Sequence, residues 1–218
     1  MPIRAVVFDL DGVLIDSEGL QYQAWTTALA ALGVDLSKDD YLKMAGRQGD
    51  VIAQELVESL GLTTTATALL RHKSVELDRL LDAAPIQLLP GALEAVTDLG
   101  QRMPLALATG GSESETRVKV DRVGLAGHFR VVVTRSDVAR GKPHPDVYVL
   151  AAERLAVIPQ DCAAIEDTEY GVAAAKAAGI LCVAVPGEYS KGQDFAKADR
   201  VAPTLQDAVR ILGSMTSS

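Results

Sequence analysis

In VVFDLDGVL, Val6 to Leu14, an apolar run breaks at Asp9, resumes for one leucine and breaks again at Asp11-Gly12. The Val- and Phe-rich run from Arg4 to Leu10 predicts a short buried strand, and the Asp-Gly pair predicts a turn directly after it. A carboxylate is costly to desolvate unless a metal, hydrogen-bond donors or water answer its charge. Two carboxylates at the mouth of a buried strand therefore ask for such partners nearby. The bland alternative is an Asx turn or a solvated strand end.

Outward from this strand the pattern changes twice. Glu18 to Leu32 predicts a helix with Leu20, Trp25, Leu29 and Leu32 on its apolar face. Asp39 to Met44, Val51 to Leu60 and Ala66 to Leu81 predict three more helices, with no strand signal between them. From residue 87 onward, apolar runs alternate with helical segments. The runs are PLALAT (104–109), VVVT (131–134), CAAIED (162–167) and ILCVAVP (180–186); the helices fall near 92–99, 113–123, 146–155, 171–178 and 205–211. This βαβ rhythm predicts an α/β fold with a mostly parallel sheet flanked by helices, formed by residues 1–15 and 87–218 and interrupted by a helical insertion, residues 16–86. In such sheets chemistry gathers at the strand carboxyl ends. Asp9 and Asp11, Thr109, and Glu166 and Asp167 each end a different apolar run, so they are expected to converge.

Composition narrows the function classes. The chain has 218 residues, 48% hydrophobic and 23% charged, enough for a full core and a second small domain. A formal charge of -8 with no Lys/Arg-rich patch argues against a nucleic-acid scaffold, yet a divalent ion and a few local donors would still admit a small phosphate. No apolar run has the length of a spanning helix and no signal-peptide pattern opens the chain, so a soluble cytoplasmic protein is expected. Cys162 and Cys182 sit among apolar residues and predict buried, reduced thiols; His72, His128 and His144 form no zinc-binding pattern with them. Asp11-Gly12 after the first strand, in place of a Gly-rich pyrophosphate turn, disfavours a dinucleotide-binding protein.

Four ordered segments carry a resemblance that covers nearly the whole chain. DLDGV (9–13), ATG (108–110), GKPHPD (141–146) and EDTEYGVAAAKAAG (166–179) resemble the four motifs of the haloacid-dehalogenase-like superfamily. The helical insertion after the first motif resembles the C1 cap of the group that contains beta-phosphoglucomutase and sugar-phosphate phosphatases. The resemblance implies a Rossmann-like core with a mobile helical cap, hinged near Ile15 to Ser17 and Ala84 to Pro90. It implies a magnesium-dependent reaction on a small phosphorylated metabolite, by a monomer or homodimer. Asp9 would be the nucleophile that forms an aspartyl-phosphate, and Asp11 the acid and base that also offers its backbone carbonyl to magnesium. Thr109, Gly110 and Gly111 would hold the phosphoryl group, and Lys142 would neutralise charge on it. Asp9, Asp11 and Asp167 would bind magnesium, with Glu166 in direct or water-mediated contact. The alternatives are a solvated surface lysine for Lys142, and helix N-terminal charges for Glu166 and Asp167.

The insertion departs from the mutase pattern. Gln21 stands where beta-phosphoglucomutase has a histidine, and Gly49 where it has an arginine, although Arg47 in AGRQGD is a candidate to take the arginine's place. Gln21 and Arg47 are candidate substrate contacts; Trp25 reads as insertion core, and Tyr189 and Lys191 as solvent-facing loop residues. A phosphatase is therefore expected over a mutase, because hydrolysis needs no second phosphate grip. A metal-independent dehalogenase and a binding protein without turnover are the remaining alternatives.

Overall fold

The computed structural model describes residues 2–83 and 85–216. It divides into two compact units, residues 1–16 with 86–218 and residues 17–85. Ala84, where the second expected hinge begins, lies outside the described residues.

The first unit contains strands β1 (Ala5–Phe8), β2 (Ile15–Asp16), β3 (Gln87–Leu88), β4 (Leu105–Ala108), β5 (Val131–Val133), β6 (Cys162–Glu166), β7 (Leu181–Ala184) and β8 (Arg200–Val201). Six of them form one sheet in the order β5-β4-β1-β6-β7-β8, and every neighbouring pair runs parallel. The side-chain period of two assigns alternate residues to opposite faces. Val6, Phe8, Leu105, Leu107, Ala163 and Ile165 face one core. Ala5, Val7, Ala106, Ala108, Cys162 and Ala164 face the other. Burial on both sides explains why these strands read as continuous apolar runs.

The second unit holds α1 (Glu18–Ala30), α2 (Lys38–Leu42), α3 (Gly49–Leu60) and α4 (Ala66–Ala83). The helices of the first unit are α5 (Ala92–Gly100), α6 (Glu113–Arg122), α7 (Asp146–Leu155), α8 (Glu169–Ala177) and α9 (Leu205–Thr216). Residues of α5, α6 and α9 pack on the first core, those of α7 and α8 on the second. In the second unit Trp25, Ala28 and Leu29 of α1 are buried, as are Ile52 and Ala53 of α3 and Leu69, Leu77 and Leu80 of α4.

One local expectation is corrected. Helix α1 ends at Ala30, and the chain turns through Gly33 at φ 77°, which leaves Leu32 38% exposed; the buried face is Ala24, Trp25, Ala28 and Leu29. The segments expected as hinges contain β2 and β3, an antiparallel pair in the register Ile15 with Leu88 and Asp16 with Gln87. Two-residue strands carry too few side chains to leave a periodic signal.

Candidate active site

The strand order reverses direction at β1, with β4 on one side and β6 on the other. The carboxyl ends of these three central strands therefore open side by side, as expected of a topological switch point. Asp9 follows β1 and its main-chain N–H donates to the Ile165 carbonyl at 3.0 Å. Thr109 follows β4, Glu166 ends β6 and Asp167 follows it. Carboxylate oxygens of Asp9, Glu166 and Asp167 lie within 4.8 Å of one another, and all three residues are buried.

Lys142 brings the GKPHPD loop into this cluster. Its Nζ donates to Asp9 Oδ1 and to Glu166 Oε1, both at 2.5 Å, and the residue is only 6% exposed, which removes the surface-lysine alternative. Burial alone would lower the Lys142 pKa, but the Asp9 and Glu166 carboxylates outweigh it and raise it above the ordinary lysine value. For Asp9 the balance goes the other way: burial pushes its carboxyl up to about 7, against the pull of Lys142 and with the help of the Glu166 charge. With all three carboxylates ionised beside the Lys142 ammonium, this set of four side chains carries more negative than positive charge. This all-oxygen donor set and that charge deficit fit a hard divalent cation.

Glu166 has a more specific position than the sequence suggested. Its Oε1 accepts from Tyr148 Oη at 2.5 Å as well as from Lys142, and its Oε2 accepts from the Asp167 N–H at 3.2 Å. It is fully buried within β6 and does not stand at a helix N-terminus. A β-carbon on Gly171 of α8 would lie 2.0 Å from the Glu166 carboxylate, so the small-residue helix keeps room for this side chain. Gly12 does the same for Asp167: at φ 80° it has a conformation that favours glycine, and a β-carbon there would lie 2.1 Å from Asp167 Oδ2.

Thr109 is 1% exposed, and its Oγ1 accepts from the Gly111 N–H at 3.1 Å, which shapes the Thr109-Gly110-Gly111 turn before α6. Asp11 Oδ1 accepts from Lys119 Nζ at 2.6 Å. The same ammonium donates to Glu115, one turn earlier on α6. In the helical unit Gln21 Oε1 accepts from Lys73 Nζ, and the Lys73 ammonium lies 5.8 Å from the Trp25 ring centroid. Arg47 donates to Glu55 of α3.

The sequence reading missed Lys119, Tyr148 and Lys73. Lys119 had a signal: with Thr116 and Val120 it falls on the inward stripe of α6, where a lysine is out of place unless paired. Tyr148 and Lys73 lie in ordinary amphipathic helices and carried none.

An open parallel sheet with ionisable groups gathered at its switch point defines an α/β enzyme. The chain belongs to the haloacid dehalogenase-like hydrolases, whose family model matches residues 3–179. It is 34% identical to a phosphorylated carbohydrates phosphatase of Thermotoga maritima, over 82% of each chain. It is 30% identical to the beta-phosphoglucomutase of Bacillus subtilis, over 94% of this chain and 91% of that protein. Among solved structures, an Asp-to-Asn mutant of CbbY from Rhodobacter sphaeroides in complex with xylulose-(1,5)bisphosphate superposes with a TM-score of 0.84. That match has 29% identity and covers 93% of this chain and 95% of that one.

Proposed function

We propose that this protein is a magnesium-dependent phosphatase that hydrolyses the monoester of a small phosphorylated sugar or polyol through an aspartyl-phosphate on Asp9. The observation that supports it best is the buried set of Asp9, Lys142, Glu166 and Asp167, whose excess negative charge suits a divalent cation beside a carboxylate nucleophile. Asp9, Asp167 and the Asp11 main-chain carbonyl would hold magnesium, with Glu166 in direct or water-mediated contact. When bound, that ion would supply a Lewis acid for the phosphoryl oxygens and draw the Asp9 carboxyl into its ionised form.

The chain's own groups divide the remaining work. Asp9 attacks phosphorus, and the ester oxygen leaves with a proton from Asp11, which then takes a proton from the water that hydrolyses the acyl phosphate. Lys142 holds Asp9 Oδ1 and offsets charge on the phosphoryl group, while Thr109 and the Gly110-Gly111 main chain receive the phosphoryl oxygens. Glu166 fixes Lys142 and is itself fixed by Tyr148. The helical unit is assigned the role of the cap, and Gln21 and Arg47 are the side chains to test for substrate choice.

Hydrolysis is favoured over phosphosugar isomerisation because, by the resemblance, Gln21 stands where the mutase has a histidine, and because Arg47 pairs with Glu55. Among the described residues no helix is long and apolar enough to cross a membrane. The buried Cys162 and Cys182, which form no disulfide, suit a reducing cytoplasmic setting, and a monomer or homodimer is proposed. The test is a phosphate-release screen over sugar, polyol and nucleotide monoesters, with magnesium and again with chelator. Release from a sugar or polyol ester that chelation abolishes and Asp9→Asn removes is expected. Turnover of β-glucose 1-phosphate with a bisphosphate primer, without net phosphate release, would overturn the reading in favour of a mutase.

A further inference from the structure

Lys119 is fully buried, an expensive place for an ammonium, and its Nζ donates to two carboxylates, Asp11 Oδ1 and Glu115. Those carboxylates are not sealed in: the Asp11 and Glu115 side chains are 15% and 12% exposed. Helix α6 carries both Glu115 and Lys119 and begins directly after the Thr109-Gly110-Gly111 turn. One helix therefore shapes the end of the phosphate-holding turn and grips the carboxylate of Asp11. As a fastener between α6 and the loop after β1, an apolar side chain of similar volume would be as good, because the desolvation cost of a buried ion pair commonly cancels its attraction. An ion pair adds direction: it commits one named oxygen of Asp11.

We propose that Lys119 is a positioning residue for the proton-transfer step, fixing Asp11 through Oδ1 so that the carboxyl is aimed at the departing ester oxygen, with Glu115 locking the ammonium in place. The inference rests on Asp11 being the acid in the phosphatase reading. The step balances simply: the oxygen–phosphorus bond breaks as the Asp9 Oδ–phosphorus bond forms, and the ester oxygen takes the Asp11 proton and leaves as a neutral alcohol. A misaimed Asp11 would harm esters whose alkoxide is a poor leaving group and spare those whose oxyanion leaves unaided.

The experiment is a leaving-group series from p-nitrophenyl phosphate through phenyl phosphate to glycerol phosphate. It is read as kcat/KM for wild type, Asp11→Asn, Lys119→Met and Lys119→Arg. General acid catalysis contributes about 100- to 10,000-fold, and Asp11→Asn is expected to lose an amount in that range on glycerol phosphate and far less on p-nitrophenyl phosphate. Lys119→Met is expected to steepen the leaving-group dependence in the same sense, with a selective loss of roughly 10- to 100-fold, a partial forfeit of that acid term. Lys119→Arg, which keeps the charge, is expected to lie between. The p-nitrophenyl rate also reports that the fold and Asp9 are intact. Lysine variants that lose all substrates equally, or none, would overturn the positioning role while a selective Asp11→Asn leaves the acid reading standing. A non-selective Asp11→Asn would overturn the acid reading itself.

Discussion

Replacing Lys142 with methionine tests the electrostatics of the site. The substitution keeps most of the side-chain volume and removes an ammonium that lies 2.5 Å from both Asp9 and Glu166. Breaking a buried ion pair by deleting one partner costs about 3–5 kcal/mol, because the other partner is left charged and unanswered. At roughly 2–4 °C per kcal/mol for a chain of this size, the magnesium-free variant is expected to melt about 6–20 °C below wild type near pH 8. The sign of the pH dependence follows from Asp9. Its folded pKa is raised, so the stability that it contributes is fully present below its unfolded value near 3.8 and is lost as pH rises through about 7. Removing Lys142 takes away a cause that lowers this pKa, so the gap between variant and wild type should widen from about pH 6 to about pH 8. Magnesium should narrow the gap by restoring positive charge, while turnover stays lost. Differential scanning fluorimetry of chelated and magnesium-loaded protein at the two pH values reads all of this. A chelated variant that melts with wild type at both would refute the claim that Lys142 answers buried negative charge.

Three further outcomes are expected. Gly12→Ala would push a methyl group into Asp167 at a positive φ, and magnesium activation should weaken about 10- to 100-fold, as for lost supporting contacts around a metal; an unchanged titration would mean that this close approach is irrelevant. Asp167→Ala should abolish most magnesium activation while circular dichroism stays native, and an unaltered magnesium response in metal-depleted protein would remove Asp167 from the ligand set. Because burial pushes the Asp9 carboxyl up to about 7 without a metal, magnesium binding near pH 6 should expel a proton. Calorimetry in two buffers of different ionisation enthalpy would detect it, and Asp9→Asn should release none.

Continuous apolar runs made the central strands legible in the sequence, because burial on both faces imposes hydrophobicity at every position. The polar residue ending each run then marked where chemistry could lie. What escaped notice followed from partnership across long sequence separations. The inward place of Lys119 on α6 marks a lysine that needs a partner, and Glu115 is four residues away; only the fold puts Asp11, 108 residues away, against the same ammonium. Tyr148 reads as one more aromatic on the inner face of α7 until its hydroxyl meets Glu166. The Leu32 expectation failed because a helical face was extrapolated past Ala30, across a turn that ends the periodicity.

The two lysines reveal a repeated solution to one problem. Asp9 and Asp11 each present Oδ1 to a buried ammonium, Lys142 and Lys119, and each ammonium is backed by a glutamate, Glu166 and Glu115. A lysine facing only one aspartate could follow it through several rotamers; a lysine held between two carboxylates has its direction fixed, and so does the aspartate. The two arrangements differ in how firmly the glutamate is anchored. Glu166 is fully buried and held by Tyr148 and the Asp167 N–H, whereas Glu115 is 12% exposed on the first turn of α6. That difference suits the proposed division of labour. A nucleophile must meet phosphorus along one line of approach, while an acid and base must serve a departing alcohol and then an arriving water, and needs a grip with some freedom left in it.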